Sequence, residues 1–264
     1  MTAPPTDGSI PETTVDSFLG SALSILQPRT GYRAGIDAVL LAATAIATGG
    51  KRSRILDIGA GVGVVGLCAA ARLTEAKVVL VEKHRPLVAL AEQNIARNGM
   101  VGRVSAVHTD VLEAINRQDL APESFDIVLS NPPFYEAHAS RPSPDPLKAD
   151  AHVMPAEGLQ AWLRFAARMT RPGGCATMIH RADHLPQMID VFSNWFGDLV
   201  IQPLHAREGQ PANRVIVRGC KGSRKPLRLL AGLIVHRSDH GFRPEIDRIL
   251  RSPSSLPLDG EDPC

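Results

Sequence analysis

The sequence predicts an α/β fold whose sheet is mostly parallel and covered by helices on both faces. Short apolar runs rich in β-branched residues alternate with longer helical segments, and a glycine-rich turn follows the first of these runs. Parallel strands need a long crossover, which a helix usually supplies, so this alternation is typical of a parallel sheet. The four predicted buried strands are Arg54–Ile58, Lys77–Glu82, Val104–His108 and Phe125–Ser130.

The intervening and later elements follow from the same patterns. Helices are expected over about 63–73 and 84–98, and the second has an apolar face and ends at Gly99, a suitable C-cap residue. Ahead of the sheet, Gly35–Ile46 is interpreted as an amphipathic helix. A helix near 156–169 precedes a strand at Cys175–His180, and three later strands are predicted, two of them in an antiparallel hairpin at the sheet edge: Leu199–His205, Arg214–Arg218 and Leu227–Val235.

The length and composition indicate one domain. The chain has 264 residues, and 44% of them are hydrophobic, which is enough for a sizeable core. We expect a single folded domain over residues 17–251. The segments 1–16 and 252–264, which are rich in Pro, Thr and Ser or carry acidic residues, are expected to lack stable structure.

Charge, cysteines and hydropathy exclude several classes. A formal net charge of +2 permits a nucleic-acid partner without requiring one. The four cysteines form no CxxC pair, which argues against a zinc site and a disulfide scaffold, so no metal is expected. No signal peptide is visible, and the most apolar stretch, 34–48, is too short to cross a bilayer. We therefore expect a cytoplasmic enzyme with no membrane partner.

The turn after the first strand is a candidate cofactor site. It reads Asp57-Ile-Gly59-Ala-Gly61-Val-Gly63-Val-Val-Gly66. Glycines there allow a tight turn and let a ligand approach the backbone. No Lys-Ser/Thr pair follows, so the turn is not a phosphate-binding P-loop.

Acidic residues at three successive strand ends indicate which cofactor binds. Glu82 can accept hydrogen bonds from both ribose hydroxyls, but it would do so for NAD as well as for S-adenosylmethionine. Asp57 would repel a pyrophosphate and suits the cationic amino group of S-adenosylmethionine, while Asp110 is placed to accept the adenine amino group. The alternative is that Glu82 and Asp110 only cap the helices that follow them.

Asn131-Pro132-Pro133-Phe134, directly after the fourth strand, indicates methyl transfer to a planar nitrogen. Such an amine is a poor nucleophile because its lone pair is delocalised. The Asn131 side-chain oxygen and the Pro132 carbonyl can accept both N–H groups, which orients the lone pair and stabilises the developing charge. Phe134 offers a face on which a base can stack. The alternative interpretation is a proline-stiffened turn in which Asn131 caps a helix.

These motifs, together with Gly31–Ala42, make the chain resemble the bacterial tRNA adenine-N6 methyltransferases and, more broadly, the class I small-domain methyltransferases with an NPPY or NPPF motif. The resemblance implies a Rossmann-like, seven-stranded fold. It implies S-adenosyl-L-methionine as the cofactor, bound by the residues of the glycine turn and the three acids, with the segment of Asp37 packed over the methionine end. It also implies a tRNA substrate whose target amine binds at 131–134.

The acceptor has alternatives at this point. Phe134 stands where this family commonly has Tyr, and Phe also occurs in relatives that act on guanine N2 of ribosomal RNA. Methylation of guanine N2 or of a protein glutamine therefore stays open, and so does a non-catalytic RNA-binding role. The discriminating feature is the intact set formed by Asp57, Glu82, Asp110 and Asn131, which favours an enzyme.

Two basic groups are candidate RNA contacts. The loop from Phe134 to Met154 contains Arg141, Lys148 and His152, and long loops beside a site often grip the substrate. Lys221 and Lys225 lie near the predicted hairpin and could neutralise phosphates. For the hairpin group, a solvated surface without RNA is the alternative.

Overall fold

The computed structural model describes residues 12–31, 33–46, 53–111, 120–132, 158–239 and 241–258, together with the backbone of 135–136 and 153–154. The described helices are α1 Ile36–Ala43, α2 Val64–Arg72, α3 Arg85–Arg97, α4 Gly158–Met169, α5 Leu185–Ser193 and α6 Pro244–Arg251. The described strands are β1 Thr13–Phe18, β2 Leu23–Pro28, β3 Arg54–Ile58, β4 Lys77–Glu82, β5 Val104–His108, β6 Phe125–Ser130, β7 Tyr135–Glu136, β8 Val153–Met154, β9 Thr170–Arg181, β10 Phe196–His205, β11 Ala212–Lys221, β12 Arg228–Leu229 and β13 Leu233–Ile234.

Seven long strands form the main sheet in the order β10-β11-β9-β6-β3-β4-β5. The strands from β9 to β5 run parallel, whereas β11 is antiparallel to both of its neighbours. This confirms the predicted seven-stranded, mostly parallel sheet with a C-terminal antiparallel hairpin. The predicted strand at Leu227–Val235 is instead two strands of two residues, β12 and β13, which pair in parallel with β10 at the sheet edge.

Helices cover both faces of the sheet, so the strands are apolar at almost every position. On β3, Ile55 packs into the core cluster beneath α1, α2 and α3, whereas Leu56 and Ile58 pack into the cluster beneath α4 and α5. Successive side chains of a strand point to opposite faces, which is why a continuous apolar run suits a sheet buried on both sides. Among the described helices, none is both long and apolar enough to span a membrane.

Helix α1 differs from the amphipathic helix predicted at Gly35–Ile46. All six residues from Ala38 to Ala43 are buried, and only the first turn reaches the surface. The helix packs against α2, α6 and β9, so it contacts neighbours on every side. A helix that is apolar on all sides lies in the interior of a protein. The predicted helix is therefore present, but it has no exposed polar face along Ala38–Ala43 and is not amphipathic there.

An N-terminal hairpin extends the fold beyond the predicted boundary at residue 17, because β1 already begins at Thr13 and pairs with β2. Two side-chain amides, one in α3 and one at its C-cap, bind the free edge of β2. Asn94 accepts from the Leu26 N–H at 2.7 Å and donates to the Leu26 carbonyl at 3.0 Å, while Asn98 binds the N–H and carbonyl of Ser24 in the same way. Residues four apart on a helix face the same side, so the two amides complete the pairing of this strand edge.

The C-terminal segment is also folded further than predicted, through residue 258. Leu256 and Leu258 are buried, and the Leu256 N–H donates to the carbonyl of Ala43 at the end of α1. Arg72 on α2 connects this segment to the core, since its guanidinium donates to the carbonyls of Cys68, Ile249 and Ser254 at 3.1, 3.0 and 3.1 Å. The α1–α2 layer is therefore closed by residues from the C-terminal end of the described chain.

Replacing Asn94 by Leu should destabilise the domain by about 2–4 kcal/mol. The amide is fully buried, and besides its two bonds to Leu26 it donates to the Val62 carbonyl at 3.0 Å. Its loss would leave the N–H and carbonyl of Leu26 and the carbonyl of Val62 without this partner. Urea unfolding would measure this as a lower midpoint at unchanged m. Gln93→Leu, the same change on the exposed face of α3, is the control and should alter stability by less than about 0.5 kcal/mol. Equal effects of the two variants would contradict the role of Asn94.

Candidate active site

The carboxyl edge of the parallel sheet brings together residues that are far apart in the sequence. In the order β6-β3-β4-β5, the strand ends carry Asn131, Gly59, Glu82 and Asp110. Neighbouring strands lie about 4.8 Å apart, so these residues form a continuous row. After β3, the chain adds β4 and β5 on one side of this strand and then returns to add β6 on its other side. Ligands of open α/β sheets bind in the crevice at the point where the strand order reverses in this way.

The turn between β3 and α2 adopts a conformation that favours glycine. Gly59, Gly61 and Gly63 have φ values of 70°, 56° and 92°, all in the left-handed region. The N–H groups of Gly59 and Ala60 donate to the Val81 carbonyl at 2.9 and 3.0 Å, which ties the turn to β4. A Cβ atom at Gly61 would meet no atom of the described residues within 4 Å, so among these residues the backbone there is open to an approaching ligand.

Glu82 at the end of β4 is held by backbone donors. Its Oε2 accepts from the Gly61 N–H and its Oε1 from the His84 N–H, each at 2.9 Å. The residue is only 7% exposed. Each carboxylate oxygen can accept a second hydrogen bond, so the two N–H groups fix the orientation of Glu82 and leave acceptor capacity for a diol.

Asp57 lies beneath the turn and is 1% exposed. Its Oδ2 accepts from the Gly66 N–H at 2.9 Å, while its Oδ1 is buried without a hydrogen-bond partner. Burial raises the pKa of Asp57 to about 7; the Gly66 hydrogen bond partly lowers this pKa, and the charge of Glu82 raises it further. A buried acceptor of this kind beside a glycine turn suits a cationic ligand group.

The remaining predicted cofactor residues lie at or near the same edge. Asp110 is half-buried and follows Thr109, whose N–H donates to the Glu82 carbonyl at 2.9 Å. Asp37 in the first turn of α1 forms an ion pair with Arg214 on β11, with Oδ2 and Nε 3.0 Å apart. Arg214 pairs with Arg181 across the β11–β9 ladder, which places the ion pair at the carboxyl edge.

Two residues next to the predicted motifs were not assigned a role from the sequence. The Trp162 indole N–H on α4 donates to the Ser130 Oγ at 2.6 Å, and the Ser130 Oγ donates to the Ile58 carbonyl at 3.3 Å. Ser130 directly precedes Asn131. Trp162 is 31 residues from Asn131, and only its rarity, as one of two tryptophans in the chain, could have marked it.

The structure does not bring all predicted residues to this edge. Lys221 lies at the opposite edge, where its Nζ is 2.9 Å from Glu123 Oε1 and donates to the Ala167 and Thr170 carbonyls. Lys225 is nearby, 4.0 Å from Asp198. Five further predictions lie outside the described residues or their described side chains: Pro133, Phe134, Arg141, Lys148 and His152.

The described part of the edge fits S-adenosyl-L-methionine. It offers an open backbone at Gly61, an oriented carboxylate at Glu82 and a buried acceptor at Asp57. No group of three or more His, Cys, Asp or Glu side chains suited to a metal ion occurs among the described residues. The chemistry of the edge is therefore that of hydrogen-bond acceptors arranged around a glycine turn.

Asp57→Asn should have a higher free energy of unfolding than the wild type above neutral pH. The difference between the two proteins should grow as the pH rises from about 4 to 7. The raised pKa means that the folded wild type holds a proton that the unfolded chain releases, so wild-type stability falls as pH rises through that window. Each unit of pKa difference corresponds to about 1.4 kcal/mol. Urea unfolding of both proteins from pH 4 to 8 would show a growing difference; a constant difference would exclude the raised pKa.

Comparison with known proteins identifies the family. A model of the methyltransferase small domain matches residues 36–144. A tRNA1(Val) (adenine(37)-N6)-methyltransferase of Bacteroides thetaiotaomicron is 30% identical over 167 residues, which are 63% of this chain and 67% of that protein. The protein of the same name from Escherichia coli O157:H7 is 31% identical over 122 residues, 46% of this chain and 48% of that protein. The chain thus spans about half to two thirds of these curated relatives.

Solved structures agree with this result. A protein of Agrobacterium tumefaciens described as a predicted O-methyltransferase superposes with a TM-score of 0.70 at 27% identity, over 84% of this chain and 99% of its own. A SAM-dependent methyltransferase of the same organism, at 18% identity, shares the fold with a TM-score of 0.58 over 81% of this chain and 72% of its own. The chain therefore belongs to the S-adenosyl-L-methionine-dependent methyltransferases that carry the methyltransferase small domain.

Proposed function

We propose that this enzyme transfers the methyl group of S-adenosyl-L-methionine to the exocyclic N6 amine of an adenosine in tRNA, and that this adenosine lies beside the anticodon of a valine tRNA. The observation that carries the proposal is the position of Asn131 and Pro132, at the end of the strand next to the glycine turn. The names of the relatives, tRNA1(Val) (adenine(37)-N6)-methyltransferase, support the base and the RNA.

In this proposal, Asn131 and Pro132 bind the target amine. The Oδ1 atom of Asn131 is shielded from solvent, so a hydrogen bond to it is stronger than one made in water. That oxygen and the Pro132 carbonyl accept the two N–H groups, which turns the nitrogen lone pair towards the cofactor and stabilises positive charge on the nitrogen during transfer. The bound cofactor supplies a methyl group already activated by its sulfonium. The amine can therefore lose its proton after transfer.

The cofactor contacts proposed here follow the row of strand ends. Glu82 accepts from the ribose hydroxyls, Asp110 from the adenine amino group, and Asp57 is the buried counter-charge to the amino group of the methionine end. The left-handed glycines Gly59, Gly61 and Gly63 let the cofactor lie against the backbone of the turn. The α1 segment, fixed by the Asp37–Arg214 ion pair, covers the methionine end.

An anticodon loop suits this site because a base in a single-stranded loop can be turned out at little cost. In this proposal Pro133 stiffens the motif, Phe134 stacks on the base, and Arg141, Lys148 and His152 contact the RNA. Lys221 and Lys225 are left out, because their contacts with Glu123 and Asp198 lie at the opposite edge of the sheet. Such a substrate would place the enzyme in the cytoplasm.

Asn131→Ala should lower methyl transfer by about 100-fold or more, because one of the two acceptors of the amine is lost. Affinity for S-adenosyl-L-methionine, measured by calorimetry, should change by less than about threefold, since Asn131 acts on the acceptor and not on the cofactor. Asn194→Ala, an exposed asparagine after α5, is the matched control and should retain full activity. Undiminished transfer by Asn131→Ala would rule out the assigned amine site.

The acceptor itself is tested with labelled S-adenosyl-L-methionine and three separate substrates: total tRNA, ribosomal RNA and ribosomal proteins. Mass analysis of nucleosides should give N6-methyladenosine, and only in tRNA. Label that occurs only as N2-methylguanosine, only on ribose oxygen or only in protein would overturn the proposal. Each of these outcomes also identifies the alternative acceptor.

A further inference from the structure

Trp162 is in contact with the first glycine of the cofactor turn. A Cβ atom added to Gly59 would lie 2.7 Å from Cζ2 and 3.0 Å from Cη2 of the Trp162 indole. The benzo ring therefore occupies the space that any side chain at position 59 would need. The indole is only partly buried, although most large side chains of its cluster are fully enclosed.

The indole nitrogen, on the same edge of the ring, is bound to the strand that carries the amine-binding motif. Its Nε1 donates to the Ser130 Oγ at 2.6 Å, and this hydroxyl donates to the Ile58 carbonyl at 3.3 Å. Ile58 and Ser130 are register partners on β3 and β6, and each is followed by a site residue, Gly59 or Asn131. One side chain thus contacts the two strand ends that must be aligned for methyl transfer.

We propose that Trp162 is a positioning residue that fixes the amine-binding motif relative to the cofactor turn. The hydrogen bond sets the position of Ser130 and so of Asn131, while the ring sets the position of Gly59. Reaction rates are sensitive to such alignment, because a displacement of about 1 Å can cost about 100-fold in rate. The role concerns the transfer step and rests on the proposed function of Asn131.

The enzymatic test replaces the indole by a smaller ring that has neither the N–H nor the benzo atoms Cζ2 and Cη2 that lie against Gly59. Trp162→Phe should lower kcat about 10- to 100-fold and change KM for the cofactor by less than about threefold. Ser130→Ala should have a similar effect, and Ser130→Thr should retain most of the activity. Both Trp162→Phe and Ser130→Ala remove the hydrogen bond between Trp162 and Ser130. The losses should therefore not multiply, and the double variant should be about as active as the less active of the two single variants. Trp195→Phe is the matched control and should keep its kcat, because Trp195 directly precedes β10 at the sheet edge opposite the site.

A spectroscopic test needs no methyl acceptor, so it separates failure of this inference from failure of the proposed function. The chain has two tryptophans. In Trp195→Phe, Trp162 is the only reporter, and its fluorescence should change on titration with S-adenosyl-L-methionine or S-adenosylhomocysteine. In Trp162→Phe, Trp195 is the reporter, and its emission should stay constant.

Three results would overturn the inference. The first is an unchanged kcat in Trp162→Phe, and the second is a multiplicative loss in the double variant. The third is cofactor-dependent fluorescence from Trp195 and none from Trp162. A purely structural role for Trp162 would lower the thermal midpoint and leave kcat of the folded fraction unchanged, so thermal unfolding of every variant accompanies the kinetics.

Discussion

Two buried carboxylates determine the shape of the turn on which this site depends. Asp57 binds the Gly66 N–H at the start of α2, and Glu82 binds the Gly61 N–H from the neighbouring strand. Both acids are almost fully removed from water, a cost that the surrounding sheet core must offset. The turn thereby gains a fixed backbone with two carboxyl groups beside it. Burial raises the pKa of Asp57 to about 7, and a cationic cofactor group beside it would favour its ionised form.

The rest of the fold supports this turn from outside the sheet. Asn94 binds both the Val62 carbonyl in the turn and the edge of β2, so the N-terminal hairpin is attached to the cofactor loop through one amide. On the opposite face, Trp162 packs against Gly59. The turn is thus contacted from both faces of the sheet, through Asn94 on α3 and through Trp162 on α4. Each helix is connected to it by a side chain able to make a directional hydrogen bond.

Short sequence patterns were enough to predict the strands and the residues at their carboxyl ends. Apolar runs located the strands, and the glycines and acids at their ends located Gly59, Glu82 and Asp110, because parallel strands place their carboxyl ends at one edge. The contacts made by Trp162 and Asn94 depend on how distant helices dock, which no short pattern encodes. The edge reached by Lys221 was missed for the same reason, since it depends on the direction of β11 in the sheet.

The contacts of Arg72 have a consequence for the order in which the chain can fold during synthesis. This guanidinium binds the carbonyls of Ile249 and Ser254, which are 177 and 182 residues away in the sequence. Contacts of such separation form late, because a very long loop must close first. A nascent chain can pair its central strands early, but α2 keeps a charged group without these partners until residue 254 has been made. The packing around α2 is therefore completed only after residues 249–254 have been synthesised.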